Sequence, residues 1–161
     1  MGGAFMLTTE ALLRNTQIFD REYTGLALTL AASAARTAGA NGTTFDLLKF
    51  DRAIFVLDIT ASAHEAGDTL DVFIDISPDG GTKWINAIHF AQQAGDGAAK
   101  TEMAILCADN PGALSILTTA DCASGVVRPS VMGNKVRARW AIADSGDADS
   151  SHTFSVKALL Q

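Results

Sequence analysis

Apolar and polar residues alternate along most of this chain. Leu70, Val72, Ile74 and Ile76 fall on one side of a strand, and Asp71, Phe73 and Asp75 on the other. That is the period of two which a pleated backbone imposes. Ser77-Pro78-Asp79-Gly80-Gly81 follows, with a φ-fixing proline, an Asp able to accept from turn amides, and two glycines free to take positive φ. A return strand starting at Trp84 completes a predicted β-hairpin over 69–90. Leu26, Leu28 and Leu30 alternate with Ala27, Thr29 and Ala31, and the small-residue stretch 31–42 ends in the turn signal Asn41-Gly42. Residues 45–50 predict a short strand or edge segment.

Residues 53–60, AIFVLDIT, are nearly all apolar and predict a strand buried on both faces. Residues 101–108 predict a strand with Met103, Ile105 and Cys107 on one face. A turn at Asp109-Asn110-Pro111-Gly112 leads to a weaker strand over 113–119, and 126–131 predicts a short strand ended by Gly133-Asn134. Val136, Ala138, Trp140 and Ile142 point inward with Lys135, Arg137 and Arg139 outward, and Phe154, Val156, Ala158 and Leu160 close the chain on an inward face. The sum is an all-β domain over 21–161, an antiparallel β-sandwich or jelly roll of about eight strands. Residues 1–20 do not alternate and predict an N-terminal arm or a short helix capped by Thr8 or Thr9. The arm's Phe5, Met6, Leu7, Leu12, Leu13 and Ile18 are costly to leave in water, so it is expected to pack on its own core or on a neighbour.

The chain has 161 residues, enough for one domain with a proper core, and 48% hydrophobic against 19% charged residues marks it as globular. Its net charge of −6 argues against nucleic-acid binding, which needs clustered Lys and Arg, and against an anionic membrane surface. No apolar run approaches the roughly 20 residues of a membrane helix. The start, Met1-Gly2-Gly3-Ala4-Phe5-Met6, has no basic region and no long apolar region, so no secretory signal is expected. Met6 also leaves the myristoylation pattern incomplete.

Cys107 and Cys122 are too few for a disulfide framework and match no zinc spacing. They read as two small buried hydrophobes, with one structural disulfide as the alternative. His64, His89 and His152 have no second ligand at metal spacing, and no GxSxG, HExxH or P-loop pattern occurs. No catalytic residue, cofactor-binding residue or metal ligand is therefore assigned, and the chain is expected not to be an enzyme. The acidic stretch Asp144-Ser145-Gly146-Asp147-Ala148-Asp149 reads first as a solvated turn. It lacks the glycine position and distal Glu of an EF-hand, though three carboxylates on a sandwich loop can hold Ca²⁺.

The Lys135, Arg137 and Arg139 stripe has two readings. If its strand neighbours the hairpin, its charges pair with Asp71 and Asp75; if not, it is a candidate contact patch on a partner subunit, along with Phe5, Leu7, Leu12 and Leu13. On the second reading, Arg137→Glu weakens assembly more than folding.

Ser77, Asp79, Gly81 and Trp84 match positions of the Asp-box turn, and the stretch 77–84 resembles that turn in sialidase-like propellers, with Lys83 where Thr is usual. In those families the turn is structural and recurs once per blade; here it occurs once, so a propeller is not expected. Ser77, Asp79, Gly80, Gly81 and Trp84 are accordingly read as structural turn residues. At larger scale, DRAIFVLDITA, TLDVFIDISPDGGTKW, GNKVRARWAIAD and SHTFSVKALL together resemble a class of small tailed-bacteriophage virion proteins. The resemblance covers roughly half the chain. It implies a β-sandwich or jelly roll in the virion, assembled in the host cytoplasm. The implied role is a capsid decoration (cement) protein, or a neck, tail or head-fibre-base accessory. The implied partners are the chain itself, as a homo-oligomer, and the major capsid or other virion proteins, with no nucleic acid, membrane or cofactor. Two readings of other classes remain: a carbohydrate-binding module stacking sugars on exposed aromatics, and a cupin-like enzyme, which would need a His and carboxylate cluster that the sequence does not supply.

Overall fold

The computed structural model describes residues 25–47, 50–63, 65–108, 118–128, 132–146 and 149–161. The predicted arm over 1–20 and the weaker strand over 113–119, all but its last two residues, lie outside these. Eleven strands form among the described residues: β1 Leu26–Arg36, β2 Ala40–Asn41, β3 Phe45–Asp46, β4 Arg52–Ser62, β5 Thr69–Ser77, β6 Ile85–His89, β7 Gln93–Ala94, β8 Lys100–Cys107, β9 Val126–Val127, β10 Lys135–Ala143 and β11 His152–Leu160. One sheet has the order β1-β11-β4-β8, the other β2-β10-β5-β6-β9, and every pairing is antiparallel. β2 and β3 pair in succession with β10, at Trp140↔Ala40 and Val136↔Phe45, and so act as one interrupted strand. With them counted as one and the two-residue β7 and β9 set aside, the four-strand orders β1-β11-β4-β8 and β2/β3-β10-β5-β6 are those of a jelly roll.

The core lies between the sheets. Leu30, Phe55, Leu57, Ile59, Leu106, Phe154, Val156 and Leu160 come from the first sheet, and Leu70, Val72, Ile74, Ile76, Ile88, Val136 and Ala138 from the second. Trp140 meets Phe154 edge-on across the interface, with ring centroids 5.5 Å apart. Arg36 caps that pair, its guanidinium 4.3 Å from the Phe154 ring centre while it donates to the Phe154 carbonyl at 2.7 Å. Each large apolar side chain so buried contributes about 1.5–3 kcal/mol.

Three expectations change. Asn41-Gly42 is no hairpin turn: β1 runs through the small residues to Arg36, and Asn41 belongs to β2. Gly42 is needed for close approach, because its amide donates to Ala138 O at 2.8 Å and a Cβ there would strike the Leu30 carbonyl. β4 is buried on one face only: Ala53, Phe55, Leu57 and Ile59 face the core, while Ile54, Val56 and Asp58 on the outer face are half-buried. No layer covers that side of the first sheet among the described residues. The hairpin's return strand begins at Ile85, one residue after Trp84.

Candidate functional site

The hairpin turn is a closed hydrogen-bonded unit. Ser77 Oγ donates to Asp79 Oδ1 at 2.9 Å and accepts from the Gly81 amide at 2.8 Å. Asp79 Oδ1 also accepts from the Lys83 amide at 2.7 Å, which holds its carboxyl below the ordinary aspartate range. Gly80 and Gly81 take φ of 78° and 101°, a region other residues enter at a cost. Trp84 Nε1 donates to Gly81 O at 3.0 Å. The turn residues thus spend their polar groups within the turn and on Asn134, whose Oδ1 accepts from the Gly80 amide at 3.0 Å and whose amide donates to Ser77 O at 2.9 Å.

The stripe and the hairpin are neighbours, and the stripe's arginines pair across the sheet with Asp75, whereas Asp71, the other expected partner, is taken by His89 and Gln92. Arg137 lies opposite Asp75 and Arg139 opposite Phe73. Asp75, only 3% exposed, accepts from Arg139 Nε at 3.0 Å and from Arg137 Nη2 at 3.3 Å. Arg139 also bonds Asp121 at 2.5 Å, and Lys135 bonds Asp46 at 2.8 Å. Burial opposes the Arg139 charge, but Asp75 and Asp121 outweigh it and hold the guanidinium more firmly protonated. The two planar groups also stack, Arg137 on Trp84 at 4.1 Å and Arg139 on Phe73 at 4.0 Å.

Beside this stack the structure gathers a polar cluster that the sequence does not announce. β5 and β6 slip register between Ile74 and Asp75, so Asn86 turns onto the outer face beside Asp75. There Asn86 Nδ2 donates to Ile88 O at 2.9 Å, and its Oδ1 accepts from the Cys122 amide at 3.0 Å and the Cys122 thiol at 2.7 Å. His89 stacks on Phe73, centroids 4.2 Å apart, with Nε2 2.8 Å from Asp71 Oδ1 and Nδ1 2.8 Å from Cys122 O. The two ring nitrogens thus tie β5 to the 118–128 segment.

Asp71, His89 and Cys122 are the residue types of a nucleophilic triad, brought together from three segments. Their geometry serves another purpose. The His89 ring reaches the Cys122 carbonyl and not its thiol, the thiol donates to Asn86, and burial pushes the Cys122 thiol up, away from the reactive thiolate. The cluster clamps the 118–128 segment over the second sheet. Only the alternation around Asp71 and His89 hinted at it, since register and loop path set the distances.

Both cysteines are free, Cys122 buried and Cys107 half-buried. His152 is fully buried, its Nδ1 3.0 Å from Ser62 Oγ, and His64 lies outside the described residues. So do Phe5, Leu7, Leu12 and Leu13 of the arm. A cleft of about 330 Å³ opens between β8 and the β6–β9 edge, lined by Ile88, His89, Phe90, Glu102, Met103 and Val127 among others. Its carboxylate, Glu102, is engaged by Lys100 at 2.9 Å and by the Ala91 amide at 2.9 Å.

The outer face of the first sheet is different in kind. Register places Ala27, Leu159, Ile54 and Ile105 side by side across its four strands, with Val56 and Met103 paired in a row beyond. Met103 is 67% exposed and Ile105 39%. The face Met103 shares with Ile105 is thus the solvent side, and Ala104 and Leu106 fill the core instead. Contiguous apolar side chains across a sheet's open face mark a contact surface more often than isolated ones do.

No family model matches the chain, and no curated protein matches it. One similar solved structure is that of the infectious bursal disease virus Gx strain, 13% identical, with a TM-score of 0.46 over 84% of this chain and 31% of that chain.

Proposed function

We propose that this chain is a structural virion protein of a tailed bacteriophage, a capsid decoration protein that stabilises the head through subunit–subunit contacts. The observation that carries this reading is the apolar outer row Ala27–Leu159–Ile54–Ile105 with Met103 beside it, on a jelly roll whose Asp75 and Asn86 clusters are internally satisfied. Such a face gains free energy when an apolar protein surface covers it. In a repetitive shell each contact is modest, and multiplicity supplies the strength. The partners are copies of this chain and the major capsid protein, and the location is the virion. A neck, tail or head-fibre-base position uses the same face.

The proposal includes no enzyme activity, no cofactor, and no nucleic-acid or membrane partner. The carbohydrate-binding alternative loses its platforms: Trp84 lies beneath Arg137, and Trp140 is 8% exposed with Nε1 bonded to Ala38 O at 3.0 Å. The test combines light scattering after size exclusion with mixing onto undecorated capsids. Wild-type protein is expected to self-associate or bind capsids, and Met103→Glu with Ile105→Glu to lose this while melting as wild type does. A strict monomer that ignores capsids overturns the reading.

A further inference from the structure

The β4–β5 and β10–β11 loops meet at one end of the sandwich and bring three carboxylates together. Asp68 comes from the first loop, Asp144 and Asp149 from the second, and one ligand oxygen of each lies within 4.8 Å of one from each of the others. The loops are in contact: a Cβ at Gly67 would come within 2.8 Å of Ser145 Oγ. Asp144 is held in place, its Oδ1 accepting from the Gly146 amide at 3.0 Å and its Oδ2 from the Ser150 amide at 3.1 Å.

Asp68 is the anomaly. It is 1% exposed, and its Oδ1 accepts from the Ser145 amide at 2.8 Å and from Ser145 Oγ at 3.0 Å. Its Oδ2 is buried with no hydrogen-bond partner. None of the ion pairs among the described residues includes Asp68. A buried carboxylate oxygen without a donor is costly unless a donor or a cation reaches it.

We propose that Asp68, Asp144 and Asp149 bind one Ca²⁺ ion, which ties the β4–β5 loop to the β10–β11 loop. The donors are all hard oxygens, with no Cys or His among them, which disfavours zinc and the softer metals. At a Ca–O distance of about 2.4 Å, oxygens up to about 4.8 Å apart can share one ion, whereas Mg²⁺ needs a tighter octahedron and gives up water reluctantly. Asp144 and Asp149 are exposed, so water can complete the seven or so ligands Ca²⁺ takes. Asp68 supplies the buried ligand, and the ion supplies the partner that its Oδ2 lacks. The site is independent of the proposed contact face, which lies on the outer side of the first sheet.

The test uses the full chain, stripped with chelator at neutral pH, then melted and titrated calorimetrically with CaCl₂ against MgCl₂ at matched ionic strength. Wild type is expected to take up one Ca²⁺ per chain with Kd of about 10⁻⁴–10⁻³ M and to melt several degrees higher at about 10 mM Ca²⁺, with a smaller response to Mg²⁺. Asp149→Ala changes an exposed residue, with its melt in chelator compared to wild type as the check on folding, and Asp68→Asn removes the buried charge; each is expected to weaken Ca²⁺ binding by about tenfold or more. Absence of saturable Ca²⁺ uptake by wild type overturns the proposal, as does equal uptake by Asp149→Ala. A wild type that ignores Ca²⁺ but gains stability on mild acidification also overturns it, in favour of a proton shared among the three carboxylates.

Discussion

Asp75 and Arg137 stand opposite each other on β5 and β10, and the carboxylate is 3% exposed while the arginine side chain keeps 19% of its surface. The buried partner is therefore the acid, and both arginines close over it. Arg137→Glu puts a second carboxylate against Asp75 and removes the guanidinium from Trp84. It is expected to lower the unfolding free energy by about 2 kcal/mol, less than for a fully buried pair because the arginine is partly solvated. Urea denaturation measures it. A wild-type midpoint with altered assembly alone would return the stripe to the role of a subunit contact.

Asn86 fills its hydrogen-bonding capacity in a buried position, and Asn86→Ala strands the Cys122 amide and the Ile88 carbonyl. The expected loss is about 2–3 kcal/mol. Cys122→Ser keeps a donor toward Asn86 and is expected to cost less than about 1 kcal/mol. Chemical denaturation of the two variants side by side distinguishes a hydrogen-bonded clamp from simple volume filling, which predicts similar losses.

The two thiols are expected to react at different rates. Burial raises the Cys122 pKa, so its thiolate is scarce at neutral pH, while Cys107 is half-buried on the outer face of β8. Labelling of native protein with a thiol reagent is expected to modify Cys107 first, with Cys122 following on unfolding or at clearly alkaline pH. Equal native rates would show that the 118–128 segment opens readily.

Asp79 links the hairpin turn to pH. Its folded pKa lies below the ordinary value, chiefly because of the Lys83 amide, so its stabilising effect is present above the ordinary aspartate pKa. That effect is lost as pH falls through the lowered folded value. Asp79→Asn is expected to flatten this acid limb of the melting-temperature profile without moving the neutral plateau upward. An unchanged acid limb in the variant would mean that other carboxylates govern acid unfolding.

Much of the architecture is legible from side-chain period. The alternation in β5, β10 and β11 identifies their core faces residue by residue, because a strand has only two sides and one of them must be dry. The turn at 77–84 is equally local, since its partners lie within a few residues of each other. The AIFVLDIT run misleads because composition cannot say whether a second layer covers an apolar face. Ile54 and Val56 have the residue types of buried positions but lie on a side with no covering layer among the described residues.

What the chain determines by itself is the all-β class, the inward positions and the hairpin turn, each set by contacts short in sequence or by a period of two. Only the tertiary structure decided which strands became neighbours. That choice pairs Arg137 and Arg139 with Asp75, brings Asp71, His89 and Cys122 into one clamp, and sets Asp68 against Asp144 and Asp149. The physical reason is that cross-sheet register and loop path join residues tens of positions apart, and no local pattern of hydrophobicity encodes those distances.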